Sequence, residues 1–253
     1  MKISIITVCY NAETTLEETI ISVMSQSYNN IEYIIIDGDS NDNTKNIISS
    51  YDSFIDKWLS EPDNGLYDAM NKGLRISTGD FVGFLNADDK FVCNDAIESV
   101  ACIANKTDSV CILGDTALVD SKNTSRVIRF YSGNTFQPWQ FRFGNMPPHP
   151  STYVRRKYLL KLSGFDTSYS ISADFDVMLR LFKTNIKTAS LRKTLVAMRS
   201  GGLTTRGIKS NININRQIYR SCINNGIWTH PLIIWSKYFF KIFQYIRRPS
   251  DYP

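Results

Sequence analysis

The chain has 253 residues, 43% hydrophobic and 21% charged, which excludes a disordered or fibrous protein and suits one large α/β domain. Five cysteines without a Cys-x-x-Cys pair and only two histidines argue against a disulfide framework or a zinc cluster and point to a reducing cytoplasm. The net charge of +5 conceals an asymmetry: residues 1–125 carry 8 Lys/Arg and 20 Asp/Glu, whereas residues 126–253 carry 21 and 4, so a carboxylate-rich half precedes one that attracts phosphates or anionic lipid.

The first half alternates strand and helix. Lys2–Cys9 is a β-branched run that reads as a buried strand. Its apolar start soon meets Asn11 and Glu13, so no signal peptide is expected. Thr14 and Thr15 precede Glu17 and Glu18 at capping-box spacing, and a helix should follow to about Gln26. Tyr33–Ile36 is a second strand, ending at Asp37-Gly38. Asp42 or Asn43 can cap a helix to Tyr51, and Phe54–Leu59 suits a third strand. Pro62-Asp63-Asn64-Gly65 is a turn, Leu66–Ile76 a helix, and Asp80–Leu85 a strand running into Asn86-Ala87-Asp88-Asp89. Asn94–Asn105 and Ser109–Leu113 add a helix and a strand. Repeated β-α-β units at this spacing predict a mostly parallel sheet flanked by helices.

The second half is less regular. Strands are expected at Arg126–Tyr131, Ser151–Val154 and Thr194–Met198, with helices at Arg155–Leu162 and Asp174–Phe182. Gln137–Pro150 is an aromatic, proline-rich loop, Gly201–Arg206 a polar one, and two C-terminal helices cover roughly residues 206–223 and 231–247. No apolar stretch approaches the length of about 18 residues that a membrane span requires.

Ligands of open parallel sheets bind beyond the carboxyl ends of the strands. Those ends carry Tyr10-Asn11, Asp37-Gly38-Asp39 and Asn86–Asp89 here. Carboxylates side by side repel one another, and a hard divalent cation shared with phosphate oxygens resolves the conflict. Neither G-x-G-x-x-G after the first strand nor G-x-x-x-x-G-K-[ST] is present, so Rossmann dehydrogenase and P-loop readings are unsupported.

The ordered segments SIITVCYNAE, IIIDGDSNDNT and EPDNGLYDAMNKGLRISTGDFVGFLNADD resemble the inverting GT-A glycosyltransferases of the family-2 type. The later PPHPSTYVRRKYL and ISADFDVMLRL are similar to bacterial O-antigen and capsule members. The resemblance covers about residues 1–200. It implies a GT-A catalytic domain over 1–205, with nucleotide-sugar binding in about 1–115 and the acceptor side in about 116–205, and a helical appendage over 206–253. It also implies a donor site formed by Tyr10, Asn11, Asp37 or Asp39, Tyr67, Asp68, Lys72, Asn86 and Asp88. Asn86-Ala87-Asp88 stands where the family has Asp-x-Asp, so Mn2+ or Mg2+ would fall to Asp88, with Asp89 as the alternative ligand. Asp174 stands at the family's general base, and Asp176, two residues on, should cap or pair instead. His149, Arg155 and Arg156 are candidate contacts to acceptor or phosphate.

The implied reaction is inverting transfer of a hexose from a UDP-sugar, UDP-Glc or UDP-Gal, to a polyprenyl diphosphate-linked sugar in surface polysaccharide assembly. An acceptor hydroxyl needs a carboxylate base, and a diphosphate leaving group needs its charge neutralised. A non-catalytic nucleotide-sugar-binding or scaffold protein of the same fold would keep Asp37 and Asp39 but need neither Asp88 nor Asp174. The carboxylate clusters speak against a nucleic-acid partner. In the last helix Lys237, Lys241, Gln244 and Arg248 fall at i, i+4, i+7 and i+11 beside Trp235, Tyr238, Phe239, Phe240 and Phe243. Such a helix suits an anionic membrane surface on the cytoplasmic side, or packing on the domain or in a homodimer.

Overall fold

The computed structural model describes residues 1–201, 207–246 and 252, with the side chains of 207–209 and 239–246 excepted. Arg206, Arg247 and Arg248, most of the expected 201–206 loop and the boundary at residue 205 lie outside this description. The chain runs β1 (Ile3–Cys9), α1 (Leu16–Met24), β2 (Ile31–Asp37), α2 (Thr44–Ser50), β3 (Lys57–Ser60), α3 (Leu66–Ile76), β4 (Phe81–Phe84), β5 (Lys90–Phe91) and α4 (Ala96–Lys106). It continues through β6 (Cys111–Val119), β7 (Val127–Tyr131), β8 (Thr152–Arg155), α5 (Arg156–Lys161), α6 (Ala173–Lys183), β9 (Thr188–Arg199), α7 (Gly207–Asn224) and α8 (Pro231–Ile246).

The sheet has the order β3-β2-β1-β4-β8-β6-β9-β5, with β7 paired to β6. β3, β2, β1 and β4 are parallel, because α1, α2 and α3 supply the crossover that each parallel step requires. Past β4 the expectation of a mostly parallel sheet fails. β8 runs antiparallel to both β4 and β6, β5 antiparallel to β9, and only β6–β9 is again parallel. The whole sheet is therefore mixed. β5 is two residues long, too short for any periodicity to announce it.

Strands buried on both faces explain the unbroken apolar runs. Ile6, Val8, Ile34 and Ile36 pack with Tyr67, Met70 and Leu74 of α3 and with α6, whereas Ile3, Ile5 and Ile35 pack with α1 and α4. Residues 3, 5 and 35 thus face one layer and 6, 8, 34 and 36 the other, as the strand period of two requires. Helix ends match their sequence signals less well than the cores do. Thr15 makes no side-chain cap to α1; instead Glu17 accepts from the Tyr51 hydroxyl at 2.9 Å and Glu18 pairs with Lys90.

The C-terminal helices pack on the second half of the chain. Ile218 and Cys222 of α7 and Ile234 of α8 belong to the main core. Asp176 on α6 is the polar rivet: it pairs with Arg180 at 2.6 Å, accepts from Ser221 at 2.7 Å, and accepts from Asn225 at 3.2 Å. Lys237, the first cation of the stripe expected to face lipid, is buried at 4% exposure near Gly144, and its ammonium lies 5.6 Å from the Tyr238 ring. At Lys237 the polar edge of α8 faces the protein, so the basic face is not its outer surface there. The later side chains of the stripe, Lys241, Gln244 and Arg248, are not described.

Removing one partner of a buried ion pair leaves the other charge uncompensated, a loss of about 3–5 kcal/mol. Asp176→Ala should destabilise the fold by that order in urea unfolding. A change within measurement error would show that α6 and α7 do not depend on this contact.

Candidate active site

Three parallel strand ends meet at one edge. At the β1 end Tyr10 is exposed, and Asn11 turns back with φ 49°, its N–H donating to Ser40 Oγ at 2.8 Å. Asp37, at the β2 end, is fully buried and accepts from the Ser40 N–H, the Ser40 hydroxyl and the Ser60 hydroxyl at 2.5–3.0 Å. With its oxygens committed, it shapes the loop rather than facing a ligand. Asp39 is the accessible carboxylate of the pair, in the left-handed region at φ 64° and 2.7 Å from Lys45 Nζ.

Gly38 explains the close approach of these loops. A Cβ there would lie 2.5 Å from Asp63 Oδ2 and 3.4 Å from the Tyr10 ring. Asp63, in the turn before α3, therefore leans over Gly38, and its other oxygen accepts from the Gly65 N–H at 2.8 Å. From sequence alone residues 62–65 read only as a turn. The overlooked signal was a third carboxylate just past a third parallel strand.

The donor residues expected on α3 divide. Lys72 folds onto Glu61 at 2.9 Å and the Pro62 carbonyl at 2.7 Å, while Asp68 accepts from the Asn64 N–H, so both brace the 61–65 turn. Tyr67 is buried, and its hydroxyl points across the molecule, 2.6 Å from the Ile171 carbonyl and 3.1 Å from Asp174 Oδ1. Burial and the Asp174 charge push its pKa well up, so it remains a proton donor.

Asp174 opens α6, partly buried, with the Phe175 N–H donating to it at 2.8 Å. Burial raises its carboxyl above the ordinary range, against the pull of His149, the Phe175 N–H and the Tyr67 hydroxyl. His149 is buried, stacked on Phe84 with ring centres 5.5 Å apart and edge-on to Phe165 at 5.8 Å. Burial lowers its pKa, opposed by the Asp174 charge, which favours neutral imidazole near pH 7. Its Nε2 is buried without a hydrogen-bond partner among the described residues. The expected loop position of His149 is thus an interior one, between Phe84 and Phe165.

At the β4 end Asp89 turns inward. It is buried, accepting from the Arg199 N–H at 3.2 Å and the Asn86 amide at 3.1 Å, and burial plus the Asp88 charge push its pKa well up. Asp88 is partly buried and raised by the same desolvation, and the Asn86 Oδ1 is buried with no partner among the described residues. No cluster of three His, Cys, Asp or Glu able to enclose a metal occurs among the described residues. Asp88 and the orphaned Asn86 oxygen nevertheless suit a hard cation that takes one or two protein oxygens and completes its shell with phosphate and water. Asp89, with both oxygens engaged, does not suit it.

Arg155 and Arg156 lie elsewhere. Register pairs Arg155 with Phe81 at the start of β4, the opposite end of that strand from Asn86. Arg155 donates to the Ser109 carbonyl and pairs with Asp108, and Arg156 reaches Ser77 and the Arg75 carbonyl. Both fasten the far edge of the sheet, so the structure does not bring them to the site.

The model of Glycosyl transferase family 2 matches residues 4–162, well over half the chain. The chain belongs to this family. An uncharacterised glycosyltransferase of Mycobacterium tuberculosis is 30% identical over 184 residues, 70% of this chain and 68% of that one. A PGL/p-HBAD biosynthesis glycosyltransferase of Mycobacterium bovis is 27% identical over 207 residues, 79% of this chain and 78% of that one. Among solved structures, Staphylococcus aureus TarS 1–349 in complex with UDP-GlcNAc superposes with a TM-score of 0.69 at 17% identity, covering 88% of this chain and 67% of that one. Mannosyltransferase PcManGT from Pyrobaculum calidifontis, in complex with GDP-Man and Mn2+, gives 0.65 at 18% identity, covering 94% and 69%. This chain therefore has the GT-A fold and is a family-2 glycosyltransferase. Its Asp174 lies beyond the matched range, so its place rests on the Tyr67 contact and the helix start.

If Tyr10, Asp39 and Asp63 form one nucleotide cradle around Gly38, then Gly38→Ala should displace Asp63. UDP affinity in calorimetry should fall about tenfold or more, ~1.4 kcal/mol. An unchanged affinity would remove Asp63 from the cradle.

Proposed function

We propose that this family-2 glycosyltransferase moves a hexose from a UDP-sugar, UDP-Glc or UDP-Gal first, to a lipid diphosphate-linked saccharide with inversion. The setting proposed is O-antigen or capsule assembly at the inner face of the cell membrane, with residues 1–205 catalytic and 206–253 membrane-associating. The observation carrying this reading is the Asp174 carboxyl, raised by burial and steered by a buried tyrosine from the opposite half of the domain. A base must hold its proton neither too weakly nor too tightly, and burial moves a carboxyl in the useful direction. TarS carries UDP-GlcNAc in its solved complex, which makes UDP-N-acetylhexosamines the next donors to test.

In the proposed reaction Asp174 accepts the proton of the acceptor hydroxyl. The acceptor oxygen bonds to the anomeric carbon on the face opposite the diphosphate, and the bond from that carbon to the diphosphate oxygen breaks. An α-linked donor thus gives a β-linked product. Asp88 and the Asn86 oxygen would hold Mn2+ or Mg2+, which would neutralise the charge of the departing diphosphate. Tyr10, Asp39 and Asp63 would receive the nucleoside, while Tyr67 keeps the Asp174 carboxylate oriented.

The test is transfer from a panel of UDP-sugars to a synthetic diphosphate-lipid acceptor. Asp174→Asn should lose ~10²–10⁴ in turnover while binding UDP normally, the usual worth of a positioned base. EDTA and Asp88→Ala should each abolish transfer. Full activity in EDTA would contradict the cation. UDP-sugar binding without transfer to any acceptor would favour the non-catalytic reading.

A further inference from the structure

The sequence holds four tryptophans, and three of them lie exposed in segments that touch one another. Trp139 is 60% exposed in a short 3-10 turn at Pro138–Phe143, Trp228 is 68% exposed just before α8, and Trp235 is 44% exposed on α8 beside Leu232 at 74%. Direct contacts join the three segments. The Arg142 guanidinium lies 6.0 Å from the Trp228 ring, Thr229 donates to the Arg142 carbonyl, and Trp139 meets Phe143 edge-on at 5.7 Å. Beneath them Ile234 is fully buried and comes close to Gly144. Trp58, outside this group, ties its indole to Asp52.

The surroundings are cationic. No Asp or Glu occurs between residues 121 and 165 or between 177 and 250, so every segment of this surface lacks acid. Exposed Arg142 belongs to the patch, and exposed Lys183 is anchored to the Asn225 carbonyl at its margin. Such a surface opposes self-association, because a two-fold contact would bring Arg142 and its neighbours against their own copies. It matches the bilayer interface, where indole rings settle at head-group depth and cations meet anionic lipid.

We propose that Trp139, Trp228, Leu232 and Trp235 form a single insertion surface for anionic membrane. This rests on the lipid-borne acceptor of the function proposed above for its purpose, and on the patch itself for its location. It takes the place of Lys237 in the α8 stripe as the contact, since that side chain is buried, while Lys241, Gln244 and Arg248 lie outside the described side chains. It also enlists the 138–143 turn, which no reading of α8 alone includes.

Vesicles of phosphatidylcholine with phosphatidylglycerol test it directly by flotation, with indole fluorescence as a second readout. The wild-type chain should float with the vesicles and shift its emission to the blue. The W139Q/W228Q/W235Q variant should bind them about tenfold or more weakly, with UDP affinity and transfer to a short water-soluble acceptor unchanged. If that variant folds poorly, Trp228→Gln, at the most exposed of the three tryptophans, should still reduce flotation. Wild-type protein that ignores the vesicles, or a triple variant that floats like the wild type, would overturn the proposal. So would sedimentation of the wild type as a dimer that the triple variant abolishes without vesicle binding in either. Absence of transfer to a soluble acceptor by the wild type would sink the proposed function and leave the flotation result standing.

Discussion

Tyr67 and Asp174 are 107 positions apart in sequence and meet through one hydrogen bond of 3.1 Å. Tyr67 lies on α3, whose apolar face is fixed against β1 and β2, and Asp174 opens α6 on the other half of the domain. The hydroxyl also lies 2.6 Å from the Ile171 carbonyl, so the backbone leading into α6 is held by the same atom. A carboxylate of the second half is thereby referenced to the scaffold of the first. Because Tyr67 is buried and Asp174 partly so, the interaction is electrostatically stronger than it would be at the open surface. If Asp174 is the base proposed above, its rate depends on that registration, since a base displaced by 1 Å can cost about a hundredfold.

The carboxylates sort into two classes by what already satisfies them. Asp37, Asp89 and Asp176 are buried and fully engaged by protein donors. They close the β2 loop, seal the β4 turn and clamp α6 to α7. Asp39, Asp63, Asp88 and Asp174 are the ones left with accessible surface at the strand edge or helix start. Burying an unpaired charge is costly, so interior acids must be spent on structure, and ligand chemistry is left to those near solvent. The net negative first half is therefore only partly a binding surface.

Much of this was legible in the sequence. Apolar runs placed β1, β2 and β4, and Leu66–Ile76 as expected is α3 residue for residue. The family resemblance is upheld by the domain match, and the divergence of Asp174 from Asp176 follows from helix geometry alone. What sequence could not supply was partnership across long separations. Ser40 and Asn86, three residues off, engage Asp37 and Asp89 locally, but Ser60 and Arg199, which complete their hydrogen bonding, arrive from 23 and 110 residues away. The antiparallel pairing of β8 escaped because a four-residue strand carries no mark of its direction. Arg155, Arg156 and Lys237 misled for a shared reason: a cation in sequence shows its charge but not the carbonyl, ring or carboxylate that absorbs it.

The pH dependence of kcat/KM in the wild type and in Tyr67→Phe bears most directly on the Tyr67–Asp174 link. A base must be ionised, so activity should fall with decreasing pH through the raised pKa of Asp174, above the ordinary carboxylate range. The tyrosine hydroxyl favours the charged form, so its removal should raise that pKa further and move the acid limb to higher pH, with UDP affinity retained. An acid limb that stays in place, or that moves to lower pH, would contradict the account.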